Sequence, residues 1–315
     1  MEKPTAAAPD YRAVPDYRAL RESAGAIDLS AWTVLRLRGT DTRNFLQGLA
    51  SQDLESVRPG AALPSLFLNE KGRPIALAWI EISEGGSSAL VIADDGARST
   101  LRAHFERFRI MEDVEFEGPD GMPTLIGVVG PDRALLLGKT MERVPGATSI
   151  EGEFISFVLP PPELLESSTW RIRAPRFADP ASFEAWRLAI GIPRTGVDID
   201  LDRIATELSV PEAISLTKGC YVGQEIVART SNRGQVRRHR AGFRFQWEGR
   251  PIPARAELRA GGAVVGYVTS SAPEPGTDQG IGMGYLSVEA LQQSLDVDAV
   301  EGSTMRRVHP GPWPL

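Results

Sequence analysis

The chain has 315 residues and a formal net charge of −6, with 42% hydrophobic and 24% charged residues. These proportions are those of a soluble globular protein of two or three domains, and the acidic balance argues against a general nucleic-acid or anionic-membrane binder. No apolar run approaches the ~18 residues needed to span a bilayer, and the N-terminal segment has neither an apolar signal core nor a transit-peptide composition. We therefore expect a cytoplasmic protein.

The metal-ligating residues are few. Cys220 is the only cysteine, which excludes an internal disulfide. His104, His239 and His309 lie far apart in the sequence and show no metal-ligand spacing. A bound iron–sulfur cluster normally needs about four cysteine ligands. The chain therefore cannot hold such a cluster alone, and any role in cluster chemistry must be indirect or shared between chains.

The N-terminal third begins with residues 1–20, whose Pro- and Ala-rich duplication predicts a flexible lead-in. Residues 21–120 follow the order β-α-β-β-β-α, which is typical of an α+β unit with helices on one face of a largely antiparallel sheet. Gly39-Thr40-Asp41 is expected to end a strand over 33–38 and to cap the next helix. The other elements predicted here are strands over 65–68, 74–82 and 89–93, a turn over 69–72, and a helix over 98–109.

Residues 121–240 predict a second α+β subdomain, interleaved with the first. It should contain a strand over 125–129, a short helix after Pro131, and a helix over 182–189 that ends at Gly191. The stretch 146–168 holds a triple proline and predicts a loop. Residues 241–315 carry short alternating runs between turns, which predicts a small C-terminal β-barrel domain.

The most unusual stretch is residues 218–229, Lys-Gly-Cys-Tyr-Val-Gly-Gln-Glu-Ile-Val-Ala-Arg. Glycines flank Cys220, and the pattern becomes helical after Gly223. A cysteine just before a helix start, with Lys218 two residues upstream, favours a thiolate. The alternative is a buried cysteine that packs as a small hydrophobe.

This stretch matches every fixed position of the signature K-G-C-[FY]-x-G-Q-E-x-x-x-R and resembles the YgfZ family. These are folate-binding proteins related to the T-protein, the aminomethyltransferase of the glycine cleavage system. Further family-like segments are residues 39–48, 68–73, 187–208 and 266–270, so that the resemblance runs from about residue 20 to the end. It implies a T-protein-like α+β fold with mixed sheets and a C-terminal barrel, and a role in the assembly or repair of iron–sulfur proteins.

The resemblance also implies roles for individual residues. Cys220 would be the reactive group, with Lys218 tuning its thiol. Tyr221 and Gln224 would line a tetrahydrofolate pocket. Glu207 would accept hydrogen bonds from the pterin ring, whose amino and N3–H donors match a carboxylate; without the signature, Glu207 is an exposed loop residue.

A basic run surrounds the end of the signature, with no acidic residue between Ile226 and Trp247. Such a run usually covers a solvated face. Next to a folate pocket, Arg229 and Arg240 would bind the glutamate tail of folate, because arginine binds carboxylates bidentately.

Three functions remain open. The leading hypothesis is a tetrahydrofolate-binding protein whose partners are iron–sulfur assembly proteins or client enzymes. A folate-dependent aminomethyltransferase is less favoured, because residues 74–79 lack the acidic pair that the resemblance leads us to expect in this strand. The third is a non-catalytic folate-binding adaptor in which Cys220 is structural.

Overall fold

The computed structural model describes residues 16–55, 57–117, 125–143, 148–152, 155–159, 176–233, 236–293, 295–311, 313 and 315. The helices are α1 (Tyr17–Glu22), α2 (Thr42–Leu49), α3 (Arg98–Phe108), α4 (Arg133–Arg143), α5 (Pro180–Ile190), α6 (Gln224–Arg233) and α7 (Val288–Gln292). The strands are β1 (Gly25–Asp28), β2 (Thr33–Arg38), β3 (Ala62–Leu68), β4 (Pro74–Ile82), β5 (Ser88–Ala93), β6 (Glu115–Glu117), β7 (Ile126–Val129), β8 (Thr148–Ile150), β9 (Ile155–Leu159), β10 (Arg238–Gln246), β11 (Glu257–Ala260), β12 (Ala263–Pro273), β13 (Gln279–Ser287), β14 (Val297–Glu301) and β15 (Thr304–Gly311).

These strands form three sheets. A five-stranded antiparallel sheet has the order β3-β4-β5-β2-β6, and a four-stranded sheet has the order β1-β7-β9-β8. The third is a closed barrel, β10-β13-β12-β11-β14-β15. Because β1 pairs with β7, the N-terminal strand belongs to the second sheet, so the two α+β units are interleaved in the chain.

The first subdomain follows the predicted pattern closely. In β2, Leu35 and Leu37 are buried on one side of the sheet, and α2 and α3 pack on that side. Phe45 of α2 and Phe67 of β3 both make edge-to-face contacts with Phe105 of α3, at centroid distances of 6.1 and 5.1 Å. Aromatic pairs prefer this geometry, and it fixes the two helices against the sheet.

The cap predicted for α2 is correct in position but lacks the expected side-chain hydrogen bond. Asp41 stands at the N-cap position, but its side chain makes no capping hydrogen bond. Its Oδ2 accepts instead from the backbone N–H of Asp113, at 2.8 Å, on the loop that follows α3. A carboxylate has several acceptor sites, and here a long-range partner takes the place of the local one.

The prediction of a loop over 146–168 is wrong for the residues that the structure describes there, 148–152 and 155–159. Strands β8 and β9 lie there and pair with each other, and β9 also pairs with β7. All five residues of β9 are buried, because the run Ile-Ser-Phe-Val-Leu fills the core of the second sheet. The triple proline lies outside the described residues.

The predicted lead-in over 1–20 overlaps helix α1. Tyr17 and Leu20 are buried, and the Tyr17 hydroxyl donates to Glu274, just beyond β12, at 2.8 Å. Residues 1–15 lie outside the described part of the chain.

The barrel joins the body through a buried ion pair. Arg187 of α5 and Asp198 are 1% and 0% exposed and lie 2.9 Å apart. Asp198 Oδ1 accepts from the hydroxyls of Thr269 and Ser270 on β12, at 2.5 and 2.6 Å. Burial opposes ionisation, but Arg187 and these donors hold the pKa of Asp198 below its usual range. One carboxylate therefore connects helix α5 to the barrel.

Candidate functional site

Cys220 lies on the surface, on a short segment before α6. Its side chain is exposed, and a Cβ added to Gly219 would meet nothing within 4 Å. A buried packing role for Cys220 is therefore contradicted. The side chain of Cys220 is therefore accessible from solvent.

The segment carrying Cys220 is fixed to the end of α2. The Ser51 hydroxyl donates to Ala213 O at 2.6 Å, and Ser215 N donates to Ser51 O at 2.9 Å. Beyond the cysteine, Val222 N donates to Gly48 O at 3.1 Å. The exposed thiol is thus held between two anchored points.

Lys218 supplies the strongest anchor. Its Nζ donates to the backbone carbonyls of Gln47, Ala50 and Gln52, each at 2.8 Å. An ammonium has three donors, so this arrangement uses all of them, at the helix end where the dipole favours a cation. The same Nζ lies 5.3 Å from the ring centroid of Tyr221. The structure thus directs the ammonium to the carbonyls at the end of α2.

Burial lowers the pKa of Lys218 to about 8, and the nearby Asp53 carboxylate limits that decrease. The ammonium is therefore mostly protonated at neutral pH. A charged donor strengthens each of its hydrogen bonds to a carbonyl oxygen.

A second contact joins the signature to the β3–β4 turn. Gly223 has φ = 82°, and a Cβ there would lie 2.7 Å from Asn69 O and 3.0 Å from Gly72 Cα. Gly72 O accepts from Ala205 N at 3.1 Å. Segments 47–52, 69–72, 205–208 and 218–229, which are distant in the sequence, therefore meet at one place.

Two predicted pocket residues lie at this junction. Tyr221 is buried, and this burial raises its pKa to about 12. Gln224 is the first residue of α6 and is partly buried, and its N–H donates to Tyr221 O at 3.2 Å. Their assignment to a folate pocket stays a prediction.

The other predicted folate ligands have contacts of their own. Glu207 Oε2 accepts from Ile204 N at 3.1 Å, within its own 3-10 turn, and lies 3.7 Å from Arg203 Nη1. Arg229 is exposed and pairs with Glu225 one helical turn away, at 2.6 Å. The structure does not bring either side chain to Cys220.

Arg240 is buried in the junction between the body and the barrel. Its guanidinium donates to Leu208 O and Gly191 O, each at 2.7 Å, and its Cζ lies 4.3 Å from the ring centroid of Trp313. Burial lowers the pKa of Arg240 to about 10. An arginine held in this way stabilises the junction, so we do not retain it as a ligand of a folate tail.

A cavity of about 580 Å³ adjoins the 205–208 turn and helix α6. Its walls are mostly apolar and include Thr206 and Thr230, whose hydroxyls are 3.0 Å apart; Glu207 and Arg229 follow and precede these threonines in the sequence but do not line the cavity. This volume falls in the range of small-molecule sites, and such walls suit a flat ring system. The lining residues are Ala205, Thr206, Ser209, Val210, Pro211, Ile214, Leu216, Thr230, Ser231, Val236, His239, Val288 and Gln292.

One pair of polar residues that line this cavity was not predicted from the sequence. The Ser209 hydroxyl and His239 Nδ1 are 3.3 Å apart, and Ser209 has a positive φ of 53°. Burial lowers the pKa of His239, which favours the neutral ring. No sequence pattern relates these residues, which come together only when the barrel docks.

The described residues contain neither a metal-ligand group nor a helix suited to a membrane. No group of three or more His, Cys, Asp or Glu side chains is arranged to hold a metal ion in that part of the chain. No helix among the same residues is long and apolar enough to cross a membrane.

Comparison with known proteins places this geometry in context. Residues 238–313 match the family model described as the glycine cleavage T-protein C-terminal barrel domain. The chain is 28% identical to the mitochondrial iron–sulfur cluster assembly factor IBA57 of Mus musculus, over 90% of this chain and 86% of that protein. It is 27% identical to an aminomethyltransferase of Rubrobacter xylanophilus, over 86% of this chain and 78% of that protein.

A solved structure agrees with the sequence comparison. The glycine cleavage system aminomethyltransferase T from Bartonella henselae superposes with a TM-score of 0.78 at 20% identity, covering 95% of this chain and 88% of the other. The chain therefore has the aminomethyltransferase fold with its C-terminal barrel, which confirms the predicted fold class. Across most of its length it is similar both to iron–sulfur assembly factors and to aminomethyltransferases.

Proposed function

We propose that this chain is a YgfZ-type, tetrahydrofolate-binding protein that assists the assembly or repair of iron–sulfur proteins through Cys220. The observation that carries the proposal is the exposed thiol on an anchored segment, in a chain similar to an iron–sulfur assembly factor over 90% of its length. Since the chain has one cysteine, a partner would have to supply the remaining ligands or the damaged cluster. We further propose that it acts in the cytoplasm, although the named relative is mitochondrial; cell fractionation tests this point.

The thiol is tested by substitution in a strain lacking the protein. Cys220→Ser should fail to restore the activity of iron–sulfur enzymes, because a hydroxyl is a far weaker nucleophile and metal ligand than a thiolate. The Ser303→Ala variant, at an exposed position in the turn between β14 and β15, should restore it fully and serves as the control. Full restoration by Cys220→Ser would refute the role of the cysteine.

Folate binding is supported by the fold and by the cavity beside α6. Calorimetry with tetrahydrofolate should show binding to the wild-type protein. Glu207→Ala and Arg229→Ala should weaken it at least tenfold if these side chains contact the ligand, since hydrogen bonds to charged groups contribute about 1.5–3 kcal/mol. Arg38→Ala, at an exposed position that does not line this cavity, is the control. No binding to the wild type would refute this part.

Aminomethyl transfer is the second candidate, favoured by the relative named as an aminomethyltransferase. Against it, residues 74–79 at the start of β4, Pro-Ile-Ala-Leu-Ala-Trp, include no carboxylate for acid–base chemistry at the folate amine. Release of methylenetetrahydrofolate from an aminomethylated carrier protein would reverse this ranking.

A third candidate is a non-catalytic folate-binding adaptor, which Cys220→Ser would leave fully active.

A further inference from the structure

The loop after α3 holds two large apolar side chains almost entirely in water. Ile110 is 83% exposed and Met111 is 93% exposed, the highest values among the large apolar side chains of the described residues. Single exposed apolar residues are ordinary on protein surfaces, but adjacent ones form a patch that needs a reason.

The loop is not free to fold these side chains back onto the protein. Glu112 Oε2 accepts from Ile110 N at 2.7 Å and from Met111 N at 3.0 Å. At the base of the loop, Arg109 Nη1 donates to Val114 O at 2.9 Å. These bonds fix the backbone so that both side chains project outward.

The segment Gly39-Thr40-Asp41 fixes the same loop from the other side. Asp113 Oδ2 accepts from Thr40 N at 3.0 Å and from its hydroxyl at 2.8 Å, and Asp41 Oδ2 accepts from Asp113 N. Gly39 has φ = 142°, and any Cβ there would overlap Asp113 O. The long-range contact of Asp41, which replaces the predicted capping hydrogen bond of α2, therefore serves to hold this loop.

We infer that Ile110 and Met111 form a preorganised docking point for a partner protein that presents an apolar pocket with a basic rim. A rigid apolar pair loses little entropy when it is buried, so more of its burial free energy appears as affinity. Apolar anchors that fill a pocket at the centre of an interface carry most of its binding energy.

The charges around the pair select the occupant. Hydrogen bonds from backbone N–H groups hold the pKa values of Glu112 and Asp113 below their usual range, so both are ionised at neutral pH. Arg109 also adjoins the pair, but its guanidinium is engaged within the loop region, where Nη1 donates to Val114 O and Cζ lies 4.8 Å from the ring centroid of Phe116. The two carboxylates beside the patch therefore repel an anionic membrane surface, and they would face their own copies in a symmetric dimer. A basic rim on a different protein complements them.

The docking point is connected to the cysteine segment through the fold. Arg107, in the last turn of α3, forms an ion pair with Glu70 in the turn after β3. That same turn packs against Gly223 of the signature. This step rests on the proposed function: the protein that docks at Ile110 and Met111 is the iron–sulfur assembly protein or client enzyme on which Cys220 acts.

The test begins with a photo-crosslinking amino acid at position 111 in the full-length protein, expressed in a strain that lacks the native copy. The matched control carries it at position 135, since Leu135 is 63% exposed on the separate helix α4. We expect a protein adduct at position 111 that is absent at position 135. A lipid adduct, an adduct with a second copy, or no specific adduct would overturn the inference.

The captured protein is then purified and its Kd measured. The double variant Ile110→Ser/Met111→Ser should weaken binding at least tenfold with an unchanged melting temperature, whereas Leu135→Ser should stay within about twofold of the wild type. An unchanged Kd in the double variant would overturn the inference. The Kd of the double variant reports on the docking point, whereas the failure of Cys220→Ser to restore iron–sulfur enzyme activity reports on the cysteine, so that the two proposals fail in different measurements.

Discussion

Among single residues, Lys218 is the one to which the structure adds the clearest new role. Its place two residues before the cysteine predicts a group that tunes the thiol. The three carbonyls at 2.8 Å make it in addition the anchor that joins the signature to the end of α2, and its effect on the thiol stays a prediction. A substitution that removes the ammonium of Lys218 would leave each of these three carbonyl oxygens without this hydrogen-bond donor.

Lys218→Met should destabilise the protein by about 3 kcal/mol, because buried acceptors left without a donor cost about 1–3 kcal/mol each and relaxation recovers part of the sum. Urea unfolding measures this change. Lys71→Met, at an exposed position in the neighbouring turn, is the control and should stay within about 0.5 kcal/mol. Equal stabilities for both variants would contradict the anchoring role.

At the scale of an element, the loop from Arg109 to Val114 depends on ionised carboxylates. Backbone N–H donors lower the folded-state pKa values of Glu112 and Asp113 relative to the unfolded chain. Their contribution to the loop is therefore complete above the unfolded pKa values of about 4 and is lost as pH falls through the lower, folded values.

The amide resonances of Ile110 and Met111 should report this titration by NMR. Their midpoint is expected below the usual glutamate value of about 4.3, with most of the change at more acidic pH. Glu112→Gln should remove the titration from both amides while leaving the fold intact. A midpoint at or above 4.3 in the wild type would show that these carboxylate contacts do not form.

At the scale of the whole molecule, the barrel is held to the body by the Arg187–Asp198 pair and the hydroxyls of β12. Asp198→Asn should cost about 1–3 kcal/mol, because it removes one of the two counter-charges of the buried Arg187 and weakens the acceptor of the β12 hydroxyls, while Glu184 stays paired with Arg187 at 2.6 Å. Thermal unfolding followed by circular dichroism measures the loss. Asp202→Asn, on a largely exposed side chain, provides the reference and should change little. A similar effect of both substitutions would place the stability of the junction elsewhere.

Local patterns were sufficient for much of the fold. The alternation from Thr33 to Arg38 predicts β2 to the residue, and Gly191 ends α5 with the expected left-handed φ of 82°. These elements follow from side-chain period and backbone sterics, which act over a few neighbouring residues. Strands β8 and β9 escaped prediction because nearby prolines suggested a loop, whereas burial against β7 decides their conformation.

The sequence alone was enough for the fold class and the C-terminal barrel, and it drew attention to residues 218–229, whose functional role stays a prediction. The contacts of the site residues required the folded chain: Cys220 is exposed, Lys218 binds the end of α2, and Arg240 is buried against Trp313. The tertiary structure also decided that Asp41 reaches Asp113 and fixes Ile110 and Met111 in water. The reason is physical, since periodicity records which face of an element is apolar, whereas the partner of a polar side chain depends on which distant segment packs beside it.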